Sequence, residues 1–451
     1  MSKTAFRPPK LTPMVVNTVK TLLPWMMGLP SFAIKTVFEP QDIQTLKQYQ
    51  GQRLLLLPNH PSSEDPLILM DLSRHVGAMF NYVAAREVFE LYHGVNGWLL
   101  QHCGVYSVIR GKADRESFKT TRGLLAKGER PLVVFIEGEV SSENETLIPF
   151  EGGVLQLAFW ALEDIKKEDI KKEGIKPHSP HANPSETTLP PLNAALVALK
   201  YFYDDGVLPV VDRALSHLEK ATGLEDRSGQ DAYLRFQALG AVVLSVHEKA
   251  LNISAKETDT ITRRVERVKE RLLGQMERYL DLFPQEEQSY LERIRAARNR
   301  IDVLVYSYED TDEFSDYERH SLEMRQKTFS GFYQHLGSLV NFLTFQEGRV
   351  IGRSSLHAPE AEDVESFDDV ESQREYQPER LMELVHRLEK EILGQVVTHH
   401  PRTAVVKLGK IHNLSDYYPA YLGDKKKTVL DLTDELEAEM GGYLREIQKP
   451  R

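Results

Sequence analysis

The 451-residue chain has one cysteine, Cys103. That excludes an intramolecular disulfide and any cysteine cage for zinc, and it fits a reducing compartment. Long apolar runs are missing as well. The longest uncharged stretch near the N-terminus, Thr21–Ile34, spans 14 residues and contains Pro24 and Pro30, whereas a bilayer-spanning helix needs about 20 apolar residues. Pro8, Pro9 and Pro13 break the opening segment, and no small-residue cleavage site follows a continuous apolar run, so a signal peptide is not expected. Basic excess is absent: 67 acidic against 56 basic residues leave a net charge of −11. Nucleic acid is therefore not an expected partner, because phosphate neutralisation needs clustered Lys and Arg. No Gly-x-Ser-x-Gly elbow is present, which argues against hydrolysis through an acyl-serine. What remains is an ordinary globular composition, 41% hydrophobic and 27% charged, in a chain long enough for two or three domains at one per roughly 150 residues.

From residue 50 to about 160 the pattern alternates between strand and helix. Arg53–Leu57, Phe80–Ala84, Val105–Ile109 and Pro131–Ile136 read as short apolar strands, and Ser117–Lys127 as a helix stopped by Gly128. Such alternation predicts an α/β fold, a sheet with helices on its faces. Residues 163–192, rich in Lys and Glu and then in Pro and His, read as an exposed excursion. Leu196–Tyr203 is strand-like. From about 207 to 345 the spacing is helical almost throughout, and Pro359–Glu375 is an acidic stretch with eight Asp or Glu against one Arg. After a helix over roughly Glu379–Val396, Thr403–Leu408 is again a strand, followed by a terminal helix over about Thr428–Ile447. The expected organisation is an N-terminal segment over 1–38, the first part of an α/β domain over 39–213, a large all-helical insertion over 214–398 with an acidic loop at 357–378, and the domain's last strand and helix over 399–451.

The N-terminal segment has two readings. Before Glu39 every charged side chain is basic, and Trp25, Met26, Met27, Leu29 and Phe32 stand beside Lys20 and Lys35. This suits a helix lying in a membrane interface. A helix packed on the domain with its lysines in solvent fits the same pattern.

Chemistry concentrates at the strand ends, where open α/β sheets bind ligands. Asn59-His60-Pro61-Ser62-Ser63-Glu64-Asp65 follows the first strand. A histidine can move protons near neutrality, and a carboxylate on one ring nitrogen leaves the other as a base. Asp65 fits that role and also fits a plain helix N-cap. Gly104-Val105-Tyr106-Ser107-Val108-Ile109-Arg110 puts a guanidinium at another strand end, where it offers a fork for phosphate. Phe135-Ile136-Glu137-Gly138-Glu139-Val140-Ser141 closes a third strand, and Pro149-Phe150-Glu151-Gly152-Gly153 leads into a helix.

These blocks, in this order and spacing, resemble the PlsC-type glycerolipid acyltransferases, which include the 1-acylglycerol-3-phosphate acyltransferases. Ala85-Arg86-Glu87 falls where that family often has Ala-Lys-x-Glu, and the similarity covers about residues 40–162, 193–205 and 402–447. The resemblance implies that His60 deprotonates an acceptor hydroxyl, which attacks an acyl thioester while Asp65 holds the imidazole. It implies that Arg110 contacts the acceptor's phosphate and that Glu137 and Gly138 shape the acceptor site, with Gly104 and Arg86 counted among the substrate-binding positions. It further implies an acyl-CoA or acyl-carrier-protein donor, a lysolipid or glycerol-phosphate acceptor, no metal or redox cofactor, and peripheral work at the cytoplasmic face of a membrane, with the helical insertion covering the site, binding the acyl chain or docking a protein partner.

The third block departs from the family's Phe-Pro-Glu-Gly-Thr-Arg-Ser: Ile136 replaces the Pro, Glu139 the Thr and Val140 the Arg. Either the acceptor is less anionic, or a cation such as Arg86, Lys112 or Arg115 compensates. The same departures leave two other readings open: a non-catalytic lipid-binding scaffold on an acyltransferase frame, and an acyltransferase for a non-glycerol acceptor.

Overall fold

The computed structural model describes residues 6–111, 113–172, 189–254, 260–306, 314–343 and 377–449. Lys112, the His178/His181 stretch and the acidic loop expected at 357–378 fall outside the described residues, apart from Gln377 and Pro378 at its end.

The chain opens with helix α1 (Pro13–Met27), strand β1 (Ile34–Phe38) and α2 (Pro40–Gln48). Then come β2 (Leu54–Pro58), α3 (Asp65–Val76), β3 (Asn81–Ala85), α4 (Val95–His102) and β4 (Val105–Val108). After α5 (Arg115–Lys127), β5 (Leu132–Val133) and α6 (Gly153–Lys172), the long strand β6 (Asn193–Tyr203) completes the first part of the sheet. Six helices follow: α7 (Leu208–Thr222), α8 (Ala232–Ala250), α9 (Ile261–Tyr279), α10 (Tyr290–Tyr306), α11 (Asp316–Leu343) and α12 (Pro378–Leu393). The chain then returns through β7 (Arg402–Asn413), α13 (Tyr418–Gly423) and α14 (Lys425–Glu446).

The seven strands form one sheet in the order β1-β7-β6-β2-β5-β3-β4, parallel except where β7 runs antiparallel to β6. The α/β class with helices on the sheet and a large helical region is thus as the sequence pattern expects. The apolar strand β2 shows why. Leu54 and Leu56 join one core with α1 and α3, while Leu55 and Leu57 join the opposite core with α6 and α14. Successive side chains point to opposite faces, so a continuous leucine run can be buried only between two helical layers. The helical region holds two further cores, one among α8–α11 and one among α7, α8 and α12.

Three local expectations change. Residues 34–38, assigned by pattern to the interfacial segment, form edge strand β1 in register with β7, Ile34 opposite Arg402. Lys20 does not face solvent: it is buried, and its Nζ donates to Ser73 O at 3.1 Å and Ala78 O at 2.5 Å, near the C-terminal end of α3. Burial and Arg74 bring its pKa down to about 8. The excursion expected from residue 163 begins later, because α6 continues to Lys172 with Ile165 in the core. Cys103 is a core residue, its thiol pushed up to about 11 by burial, and Phe329 is core as well.

Candidate active site

The C-terminal ends of β2, β3, β4, β5 and β6 share one rim, and the antiparallel turn of β7 brings its first residue, Arg402, to the same rim. A cavity of about 1500 Å³ opens there, lined by His60, Arg110, Gly138 and Glu139 from the rim. Helices α10 and α12 line its other walls through Arg298, Asn299, Arg387 and Lys390.

His60 is fixed from several sides. Its N–H donates to Glu137 Oε1 at 2.6 Å, and its carbonyl accepts from Ser141 N–H at 2.9 Å. Its ring stacks on Phe135 with centroids 4.0 Å apart. Nδ1 lies 2.8 Å from Asp65 Oδ2. Asp65, fully buried as the first residue of α3, also accepts from Ser62 N–H at 2.9 Å and from the Tyr201 hydroxyl at 2.5 Å. Both oxygens of Asp65 thus accept hydrogen bonds, and the helix N-terminus favours negative charge there. The Nδ1 proton therefore belongs to the bond with Asp65, leaving Nε2 as the basic nitrogen. The helix cap is Glu64, not Asp65, which resolves the two readings of that aspartate.

Arg110, just past β4, points its Nε at Asp302 Oδ2 of α10, 2.8 Å away, and pairs through Nη2 with Glu87. Gly138 adopts φ +72°, and a Cβ there would meet the Glu151 carboxylate at 3.0 to 3.2 Å. Besides Asp65, which is buried beneath His60, three predicted residues are not on the cavity wall. Glu137 is fully buried behind it, bridging His60 N–H and Ile148 N–H (2.7 Å), and burial pushes its pKa up to about 7 against the pull of those two donors. Arg86 is fully buried and pairs with Glu90. Gly104 sits at the opposite end of β4, where φ is +86° and a side chain would collide with Leu11 at 2.8 Å.

Sequence reasoning missed Tyr201, Arg402 and Asn59's partner strand. Asn59 bonds both backbone groups of Leu199, Oδ1 accepting at 2.7 Å and Nδ2 donating at 3.0 Å, and so locks β2 to β6 beneath His60. Arg402 donates to Glu64 at 2.9 Å and to Ser62 Oγ at 3.2 Å, with its guanidinium 4.4 Å from the Tyr201 ring centre. That guanidinium and the nearby serine hydroxyls hold Glu64 down to about 2 despite burial. Tyr201 lay in a segment read as strand-like, and nothing in its spacing points to Asp65. One group of three possible metal ligands occurs among the described residues, His412, Glu435 and Glu439. It lies at the far end of β7, where His412 Nε2 is already 3.0 Å from Glu439 and Nδ1 is 3.3 Å from the Tyr417 hydroxyl.

Residues 38–169, which hold His60, Asp65, Arg110 and Glu137, match the family model described as Acyltransferase. The match covers less than a third of the chain and supports acyl transfer as the general chemistry of that region. No curated protein and no solved structure matches it.

Proposed function

We propose that the protein moves a fatty acyl group from a thioester donor, acyl-CoA or acyl-carrier protein, to a hydroxyl of a glycerolipid acceptor. The observation that carries this reading is the Asp65-held imidazole of His60, 2.8 Å across the Nδ1 bond, on the wall of a cavity large enough for a lipid. His60 Nε2 takes the acceptor's proton as the hydroxyl oxygen attacks the thioester carbonyl. The C–O bond forms, the C–S bond breaks, and the imidazolium returns the proton to the leaving thiolate, giving an ester and a free thiol. The scheme draws on no group beyond the thioester itself. Tyr201 and Ser62 hold the Asp65 charge in place throughout, so the imidazole keeps one tautomer between turnovers.

The membrane surface is the second part of the proposal. No helix among the described residues is long and apolar enough to cross a bilayer. Helix α1 buries Val16, Leu23 and Met27 on the domain and leaves Met14, Leu22 and Trp25 exposed, while neighbouring α4 exposes Val95, Trp98 and Leu99. Apolar side chains with tryptophans on two adjoining helices suit a face seated in a lipid interface.

Thiol release from long-chain acyl-CoA, or from acyl-carrier protein, with a panel of lysolipid acceptors tests the chemistry. Acceptor-dependent release that falls about 10²- to 10⁴-fold in His60→Ala is the expected result. Absence of release with both donors, or release untouched by the substitution, would overturn it.

A further inference from the structure

Helix α10 meets the acceptor rim with three charged side chains on one face: Arg295, Arg298 and Asp302. Each finds an opposite charge. Arg298 pairs with Glu139, and Arg295 Nε lies 3.2 Å from Glu151 while its Nη2 donates to Pro149 O at 2.6 Å. Asp302 lies 2.8 Å from Arg110. Glu139, one of the chain's departures from its family, thus has its partner some 160 residues away in the helical region, a pairing no local pattern reveals.

The contact is not a loose side chain over an open site. Asp302 is 1% exposed, and its neighbour Ile301 lies in the helical core with Ile294 and Ala297 from the same helix. Gly111, directly after Arg110, has φ +72°, and a Cβ there would come within 2.6 Å of Asn299 O and 2.7 Å of its Cα. The backbone of α10 therefore rests against the Arg110 turn, and Asp302 cannot leave without moving the helix.

Resting on the acyl-transfer reading above, we propose that Asp302 is a specificity-determining residue. Its carboxylate takes the place on Arg110 that an anionic acceptor group would fill, so the acceptor is a hydroxyl lipid that carries no phosphomonoester at that end. Arg110 already faces two carboxylates, Asp302 and Glu87. A phosphate dianion brought to the same guanidinium would meet two like charges at close range, one of them on the buried Asp302. The nearest cation added by the helix, Arg298, is engaged with Glu139. A neutral glycerol end meets no such opposition and can hydrogen-bond to the ion-paired groups.

The test is equilibrium binding, which does not depend on turnover. Wild-type protein and Asp302→Asn are titrated calorimetrically with lysophosphatidate and with monoacylglycerol, both below their aggregation concentrations. Wild type binds lysophosphatidate about tenfold or more weakly than monoacylglycerol, and Asp302→Asn shifts that ratio toward lysophosphatidate by about tenfold. Glu139→Gln, which frees Arg298, shifts it in the same direction and serves if the first variant does not fold. Equal binding of the two lipids by wild type, or a ratio unmoved in the folded variants, would overturn the proposal. Loss of thiol release with every acceptor would instead count against acyl transfer and leave the binding ratio to decide this point.

Discussion

Helices α10 and α12 reach one cavity from the same helical region and treat its charges in opposite ways. On α10 every rim contact is a matched pair: Arg298 with Glu139, Arg295 with Glu151, Asp302 with Arg110. On α12 the cations share their carboxylates in a cluster rather than in separate pairs. Arg380 and Arg387 converge on Glu143 at 3.2 and 2.6 Å, Arg380 also reaches Glu383 at 2.8 Å, and Lys390 stands on the cavity wall beside them. Nε and Nη1 of Arg387 are buried and donate to no group among the described residues. Burial and Arg387 pull the Lys390 pKa below its usual value, which is what an ammonium does beside unneutralised positive charge. The difference lies in the number of spare donors: two on Arg380 and two on Arg387 lack a hydrogen-bond partner among the described residues, against Arg295 Nε alone among the α10 rim arginines. On the proposed reaction, a thioester donor that brings phosphate groups fits the α12 side and the acceptor the α10 side.

The largest effect should come from breaking the α12 cluster at its centre. Glu143→Gln leaves two buried guanidinium groups facing each other, and removing one partner of a buried ion pair costs about 3–5 kcal/mol. Thermal or denaturant unfolding reads this directly, and a loss under about 1 kcal/mol would show the cluster to be well hydrated and the contrast with α10 to be false. Next is Lys390→Met, which keeps the length of the side chain and removes its charge. If α12 holds the donor's phosphates, KM for acyl-CoA rises roughly 10- to 150-fold while the relative use of acceptors stays as it was, since a charge-assisted hydrogen bond is worth about 1.5–3 kcal/mol. A change in acceptor preference instead would mean that the two helices do not divide the substrates.

The smallest effect concerns the rim on which both helices rest. Glu137 has a pKa raised to about 7 from an ordinary 4.5. Between those values the folded state keeps a proton that the unfolded state has released. Its contribution to stability is therefore full below pH 4.5, declines as pH rises, and is gone above about 7, with a slope of at most about 1.4 kcal/mol per pH unit. Glu137→Gln should flatten that slope in a series of melting curves, while costing about 1–3 kcal/mol throughout because an amide cannot accept from both His60 N–H and Ile148 N–H. An unchanged slope would show that Glu137 is ionised across the range.

The parts of this protein that its sequence determined are those set by neighbours in the chain. Leu54–Leu57 had to be a strand buried on both faces, because four consecutive leucines can be covered only by helices on either side. His60 and Asp65 are five residues apart across a strand-to-helix turn, so their meeting is a local event, and the blocks around them were enough to indicate the family. The helical spacing after residue 207 likewise pointed to a large helical region. Tertiary structure decided the rest. It turned Lys20 inward, where α1 packs its ammonium against the Ser73 and Ala78 carbonyls at the end of α3. It drew Glu137 behind the wall to brace His60, and it brought Tyr201 and Arg402 to Asp65 and Glu64 from distant strands. It also set Asp302 on Arg110, 192 residues away in sequence. Charge pairing carries no periodicity, so which carboxylate answers which guanidinium depends on where the helices pack, and that packing fixes the electrostatic character of the site.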